Sequence, residues 1–115
     1  MAISLYHNPR CRKSREALQI IEAAGQEVQI KEYLKEPPTV KELTAVIKML
    51  GIHPLQLIRK QEKVFKEQFK GQEHSEAQWI KIMVENPILI ERPIAIKDGQ
   101  AVVGRPPENV QDLLK

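Results

Sequence analysis

The chain has one cysteine, Cys11, and it stands in the stretch HNPRCRKSR, residues 7–15, with Arg10, Arg12, Lys13 and Arg15 and without an acid. A lone cysteine is ordinarily a small buried hydrophobe. Cations gathered on both sides argue against that, since they would not surround a residue packed in oil. The short β-prone run ISLY at residues 3–6 precedes the stretch, and apolar residues recur at helical spacing after it, so Cys11 falls where a strand turns into a helix N-terminus. Cationic neighbours and unpaired helix N–H groups both favour the thiolate, the nucleophilic form, and can bring a thiol pKa from about 8.5 to below neutrality. The same donors attract oxyanions. Nucleophile and anion site are expected to coincide.

Counting outward from Cys11 tests two kinds of cysteine chemistry. Tyrosine-phosphatase loops carry an arginine six positions after the nucleophile, where this chain has Ala17. Dithiol oxidoreductases carry a resolving cysteine three positions on, where this chain has Ser14. A serine there can donate a hydrogen bond to the thiolate but cannot resolve a disulfide, so a covalent intermediate on Cys11 needs an external thiol. His7 could raise the thiolate fraction as an imidazolium or simply orient the turn. His53 and His74 read as surface or loop residues, and no His or Cys pair has metal-ligand spacing, so no metal is expected. Arg59 in LIRK, Arg92 in ERPI and Arg105 in VGRPP stand out by context. Arg92 precedes Pro93 at the entrance to a strand, and Arg105 leaves a hairpin just before a helix, at ends of elements where sites are commonly built.

The elements that must position these residues follow from period and punctuation. After ISLY, Asn8-Pro9 stops the strand, and Ala17, Leu18, Ile21 and Ala24 form a helical face closed by Gly25. Alternation in residues 27–34 predicts a second strand. Thr39 and Glu42 have capping-box spacing ahead of Val40, Leu43, Val46, Ile47 and Leu50, which face inward from a helix ended by Gly51. A short helix with Pro54 at its first position follows, then one or two turns in QEKVFKEQFK. Ser75 and Gln78 cap another helix, carrying Trp79, Ile82 and Met83 inward and stopping before Asn86-Pro87. Two β-rich runs around Asp98-Gly99 give a hairpin, and a final helix buries Val110, Leu113 and Leu114. A helix between the first two strands implies a parallel pair with a right-handed crossover, to which the hairpin adds antiparallel strands. The expected fold is α/β, a four-stranded mixed sheet flanked by helices.

Length and composition suit a single compact domain over residues 1–115. The chain has 115 residues, 42% apolar and 29% charged, with a net charge of +3. That modest charge, with only Tyr6, Tyr33, Phe65, Phe69 and Trp79 for stacking, does not fit a nucleic-acid binder. No apolar run approaches the ~18 residues of a membrane span, and the N-terminus lacks a signal-peptide pattern, so a cytoplasmic protein is expected. One cysteine allows no internal disulfide, and the reducing cytosol suits it.

With these residues assembled, the chain resembles the glutaredoxin-coupled arsenate reductase family. The resemblance is carried by HNPRC with Ser14-Arg15, then EYLKEPPT, LIRK, NPILIERPI and GRPPE in order, and covers residues 3 to 114. It implies a thioredoxin-like fold with a helical insertion at about residues 39–86 between the second strand and the hairpin, and a cis peptide before Pro93. It further implies that Cys11 is the nucleophile, that Arg59, Arg92 and Arg105 hold arsenate and its adduct, and that His7 and Ser14 support the thiolate. Glutathione is then a co-substrate, glutaredoxin a partner, and no cofactor is held. The best-known members have Gly-Thr after the cysteine, where this chain has Arg12 and Lys13, and some relatives continue beyond the position of Lys115. Two other readings stand beside it: a glutathione-dependent thiol-disulfide reductase using Cys11, and a redox-sensing transcriptional regulator similar to Spx, whose usual C-x-x-C is broken here by Ser14.

Overall fold

The structure is a computed structural model that describes residues 2–114; Met1 and Lys115, the ends of the expected 1–115 domain, lie outside the described residues. Along the chain run β1 (Ile3–Tyr6), α1 (Arg12–Ala23), β2 (Val28–Lys31), α2 (Val40–Leu50), α3 (Lys63–Gln68), α4 (Glu76–Glu85), β3 (Ile94–Lys97) and β4 (Gln100–Val103). Single 3₁₀ segments occupy Pro54–Leu57, Pro87–Leu89 and Pro107–Leu113. Contacts group these elements into two compact units: the chain up to Glu36 together with the chain from Arg92 onward, and the intervening Pro37–Glu91.

The first unit holds the sheet, in the order β2-β1-β3-β4. β1 runs parallel to β2 with Ile3 opposite Val28, and antiparallel to β3 with Leu5 opposite Ala95, while β3 and β4 form an antiparallel hairpin. This is the mixed four-stranded α/β sheet that the element order implies. Ile3 and Leu5 of central β1 bury against Ala17 and Ile21 of α1 and against Val110 and Leu113 of the last 3₁₀ segment. Asp98 and Gly99 both adopt positive φ, 51° and 76°, as the tight hairpin turn requires. At the far end of the hairpin Gly104 donates to the Pro93 carbonyl at 2.8 Å. A Cβ at Gly104 would stand 2.7 Å from Pro93 Cγ, so only glycine lets the chain leaving β4 lie this close to Pro93.

The second unit is helical. Thr39 and Glu42 close a reciprocal capping box on α2, Ser75 and Gln78 do the same for α4, and Pro54 opens its 3₁₀ segment. Leu43, Val46 and Ile47 of α2 are buried, as are Trp79, Ile80 and Met83 of α4, and the Phe65 and Trp79 rings stack at 6.2 Å. Ile58 and Ile90 form an isolated antiparallel bridge between the two ends of the segment 58–90.

Several expectations need correction. β2 is limited to residues 28–31, because it is an edge strand whose Ile30 is half exposed and because Tyr33 and Leu34 enter a turn. Ala24 and Val40 are exposed, lying at helix ends beyond the buried stripe, and Ile82 is only half-buried while Ile80 takes the interior place expected of it. The last helix is 3₁₀ rather than α, with Leu114 half-buried beyond its end. Among the described residues no helix is long and apolar enough to cross a membrane.

Candidate active site

Cys11 is the N-cap residue of α1, in extended conformation at φ −93° and ψ 121°. The turn that delivers it is built on Asn8. The Asn8 side-chain oxygen accepts the Arg10 N–H at 3.0 Å, and its carbonyl accepts the Cys11 N–H at 2.9 Å, a local arrangement that asparagine favours before a helix start. The Asn8 N–H donates in turn to the Ser14 hydroxyl at 3.1 Å, which also meets His7 Nδ1 at 2.6 Å. His7, Asn8 and Ser14 are all buried. Ser14 shares its helix face with buried Ala17 and Ile21, so the packing of α1 fixes the network under the sulfur.

Burial pushes the Cys11 thiol up, but a hydrogen bond from the Ser14 backbone N–H, another from the Arg92 side chain, and the charges of Arg92 and Arg105 outweigh it and hold the pKa below its usual range. Arg105 Nη2 stands 3.6 Å from the sulfur, and its Nε donates to the Arg92 carbonyl at 2.8 Å. Both arginines precede cis prolines, Pro93 and Pro106. The first cis bond is the one the resemblance implied; the second was not foreseen.

The cations expected to charge the site are not those that do so. Arg10, Arg12, Lys13 and Arg15 are exposed; Arg12 pairs with Glu16 at 2.9 Å in solvent, and Arg15 donates to the Pro9 carbonyl at 2.9 Å. Ser14 also acts differently from expectation. Its hydroxyl serves Asn8 and His7, while its backbone N–H reaches the sulfur. His7 takes the orienting role rather than the imidazolium role: burial lowers its pKa, the Glu32 charge opposes that, and the Arg15 charge adds to it. A neutral ring accepts the Ser14 O–H on Nδ1 and leaves Ser14 free to accept from Asn8.

Arg59 belongs to the helical unit. Its side chain, 11% exposed, donates from Nε to Glu62 at 3.0 Å and from Nη1 to Glu91 at 2.7 Å. Its backbone N–H bonds to the Leu89 carbonyl. Burial opposes its charge, and the two carboxylates more than restore it. The structure thus gathers Cys11, His7, Ser14, Arg92, Pro93 and Arg105 in one unit and sets Arg59 in an acidic clasp in the other. Asn8 does more than stop β1, and neither its role in the turn nor the pairing of Arg59 with Glu62 and Glu91 was foreseen from the sequence. The i,i+3 spacing of Arg59 and Glu62 was the available signal for the clasp. Among the described residues no group of three His, Cys, Asp or Glu side chains could hold a metal.

A parallel β1–β2 pair joined by α1, an antiparallel hairpin entered through a cis proline, and a cysteine at the start of α1 define a thioredoxin-like protein with a single thiol. Residues 6–113 match the ArsC family. A protein of Haemophilus influenzae named arsenate reductase is 39% identical over 99% of this chain and 100% of its own. The Escherichia coli protein YfgD, of uncharacterised activity, is 40% identical over 97% and 96%. The solved structure of an arsenate reductase from Vibrio cholerae superposes with a TM-score of 0.93 at 40% identity, covering 97% of both chains. The chain belongs to the ArsC family.

Proposed function

We propose that this protein is an oxidoreductase of arsenic detoxification that reduces arsenate to arsenite through Cys11. The observation that carries the reading is a lowered-pKa thiol at a helix N-terminus with the guanidinium of Arg105 3.6 Å from its sulfur. The site thereby supplies a nucleophile and the cationic donors for a tetrahedral oxyanion at one place, and relatives that match 97% or more of the chain bear the name arsenate reductase.

In this mechanism the thiolate attacks As(V), and one arsenate oxygen leaves as water after protonation. Glutathione then adds to the arsenic and displaces a second oxygen as water. The thiol of glutaredoxin attacks the glutathionyl sulfur, the As–S electron pair stays on arsenic, and As(V) becomes As(III) as a mixed disulfide of glutathione and glutaredoxin forms. Water hydrolyses the Cys11–As(III) bond and returns the thiolate. Two thiols give two electrons, and Cys11 ends as it began. Ser14 in place of a resolving cysteine fits this need for outside thiols, and the cytoplasm, where glutathione keeps thiols reduced, is the proposed location. Arg92 and Arg105 hold the oxyanion. The resemblance also gives Arg59 that task, although its Nε and Nη1 each already donate to a carboxylate.

Arsenite release from arsenate with glutathione and glutaredoxin tests the proposal. Cys11→Ser is expected to fall to background, because binding alone cannot reduce arsenic. Equal rates for both chains would remove Cys11 from the reaction.

A further inference from the structure

Beside the loop that carries Cys11 lies a cleft of about 270 Å³, walled by residues 7–10 on one side and by Glu32, Leu34 and Lys35 on the other. It opens outside the carboxyl ends of β1 and β2, the parallel pair, where ligands commonly enter open α/β sheets. One wall is rigid, since His7 and Asn8 are buried and tied to Ser14. The other presents Leu34, one of three large apolar side chains exposed among the described residues, at 39%. An apolar side chain left open inside a cleft gains when a ligand covers it.

The charges around that apolar floor are mixed. Arg10 and Lys35 are exposed cations, and Glu32 supplies an acid 3.6 Å from Lys35. A solvent-exposed pair of this kind contributes little to stability, so a ligand that offers each partner an opposite charge replaces it at small cost. Two cations, one anion and an apolar floor are complementary to a small peptide with two carboxylates and one ammonium.

We propose that this cleft is the subsite for the external thiol, a zwitterionic peptide of glutathione chemistry. Its carboxylates lie against Arg10 and Lys35, its ammonium against Glu32, and its aliphatic middle over Leu34 and Pro9. The assignment rests on the thiol-dependent reading of Cys11 above and adds where the first reductant is held. An extended tripeptide spans about 10 Å, and one anchored along residues 8–10 lies next in the chain to Cys11, whose N–H is bonded to Asn8.

S-methylglutathione carries the same charges but cannot react, so titrating it into the ¹⁵N-labelled full chain isolates binding from turnover. Amide shifts are expected to concentrate at residues 8–10 and 32–35, and Lys35→Glu is expected to weaken binding about tenfold. Shifts confined to other residues, or none at millimolar ligand, overturn the assignment. In the arsenate assay Lys35→Glu should raise the KM for glutathione about tenfold without raising the KM for arsenate, and the penalty should shrink when uncharged 2-mercaptoethanol replaces glutathione. An equal penalty with both thiols also overturns it. Absence of arsenate reduction with every thiol would remove the reductase reading, and the titration would still decide whether the cleft takes the peptide.

Discussion

Arg105, in the sheet unit, holds the Arg92 carbonyl with Nε and approaches the Cys11 sulfur with Nη2. Arg59, in the helical unit, gives Nε and Nη1 to the carboxylates of Glu62 and Glu91. Both are partly buried guanidinium groups at the ends of short elements, and the family resemblance gave both the task of holding arsenate. Their surroundings set them different work. Against a sulfur whose anion it favours, Arg105 shifts a chemical equilibrium; between two acids, Arg59 ties Glu62 and Glu91, the latter following the Ile58–Ile90 bridge. What an arginine does in this fold is decided by the group it faces.

Breaking each arginine should therefore produce different losses. The largest is expected at the clasp: Arg59→Met leaves two partly buried carboxylates without their shared cation, and urea unfolding should show about 2 to 3 kcal/mol less stability, with Glu91→Gln added to the variant recovering part of it. If arsenate KM rises more in Arg59→Met than in Arg105→Ala while stability is unchanged, the contrast between the two arginines is wrong.

A smaller effect is expected at the sulfur. Arg105→Ala removes one of the charges that lower the thiol, so alkylation of Cys11 by iodoacetamide near pH 6.5 should slow severalfold as the thiolate fraction falls. Arg12→Ala, at an exposed cation paired with Glu16, should leave that rate within about twofold. A larger fall for Arg12→Ala than for Arg105→Ala would return the charge of the site to the local cluster.

The smallest effect concerns His7, whose pKa is lowered from 6.5, foremost by burial. Above that pH the ring is neutral in both folded and unfolded chains and contributes no pH dependence. As pH falls below it, the unfolded chain takes up a proton that the folded chain refuses, so stability declines until the pH passes the lower folded pKa. His7→Asn should remove this decline from the pH profile of unfolding. An unaltered profile in that variant would place the acid sensitivity elsewhere.

Much of the scaffold was legible because it is written in local chemistry. The capping boxes at Thr39 and Ser75, the hairpin at Asp98-Gly99 and the helix start at Cys11 each depend on residues within three or four positions of one another. Burial at element margins was less legible. Ala24, Val40 and Ile82 fit the helical period yet lie where no neighbour covers them fully, and β2 ends early because an edge strand has a partner on one side only.

The sequence by itself determined that one thiol stands at a helix start, without a second cysteine to resolve it and within an α/β order of elements, since these properties follow from residue type and short-range spacing. Only the tertiary structure decided which cations meet the sulfur. Exposed charges next to Cys11 in the chain turn into water, where they are well solvated and exert little force, whereas Arg92 and Arg105 are brought in by the hairpin that pairs β3 with β1. Electrostatic influence falls with distance and with screening by solvent, and both are fixed by the fold rather than by position along the chain.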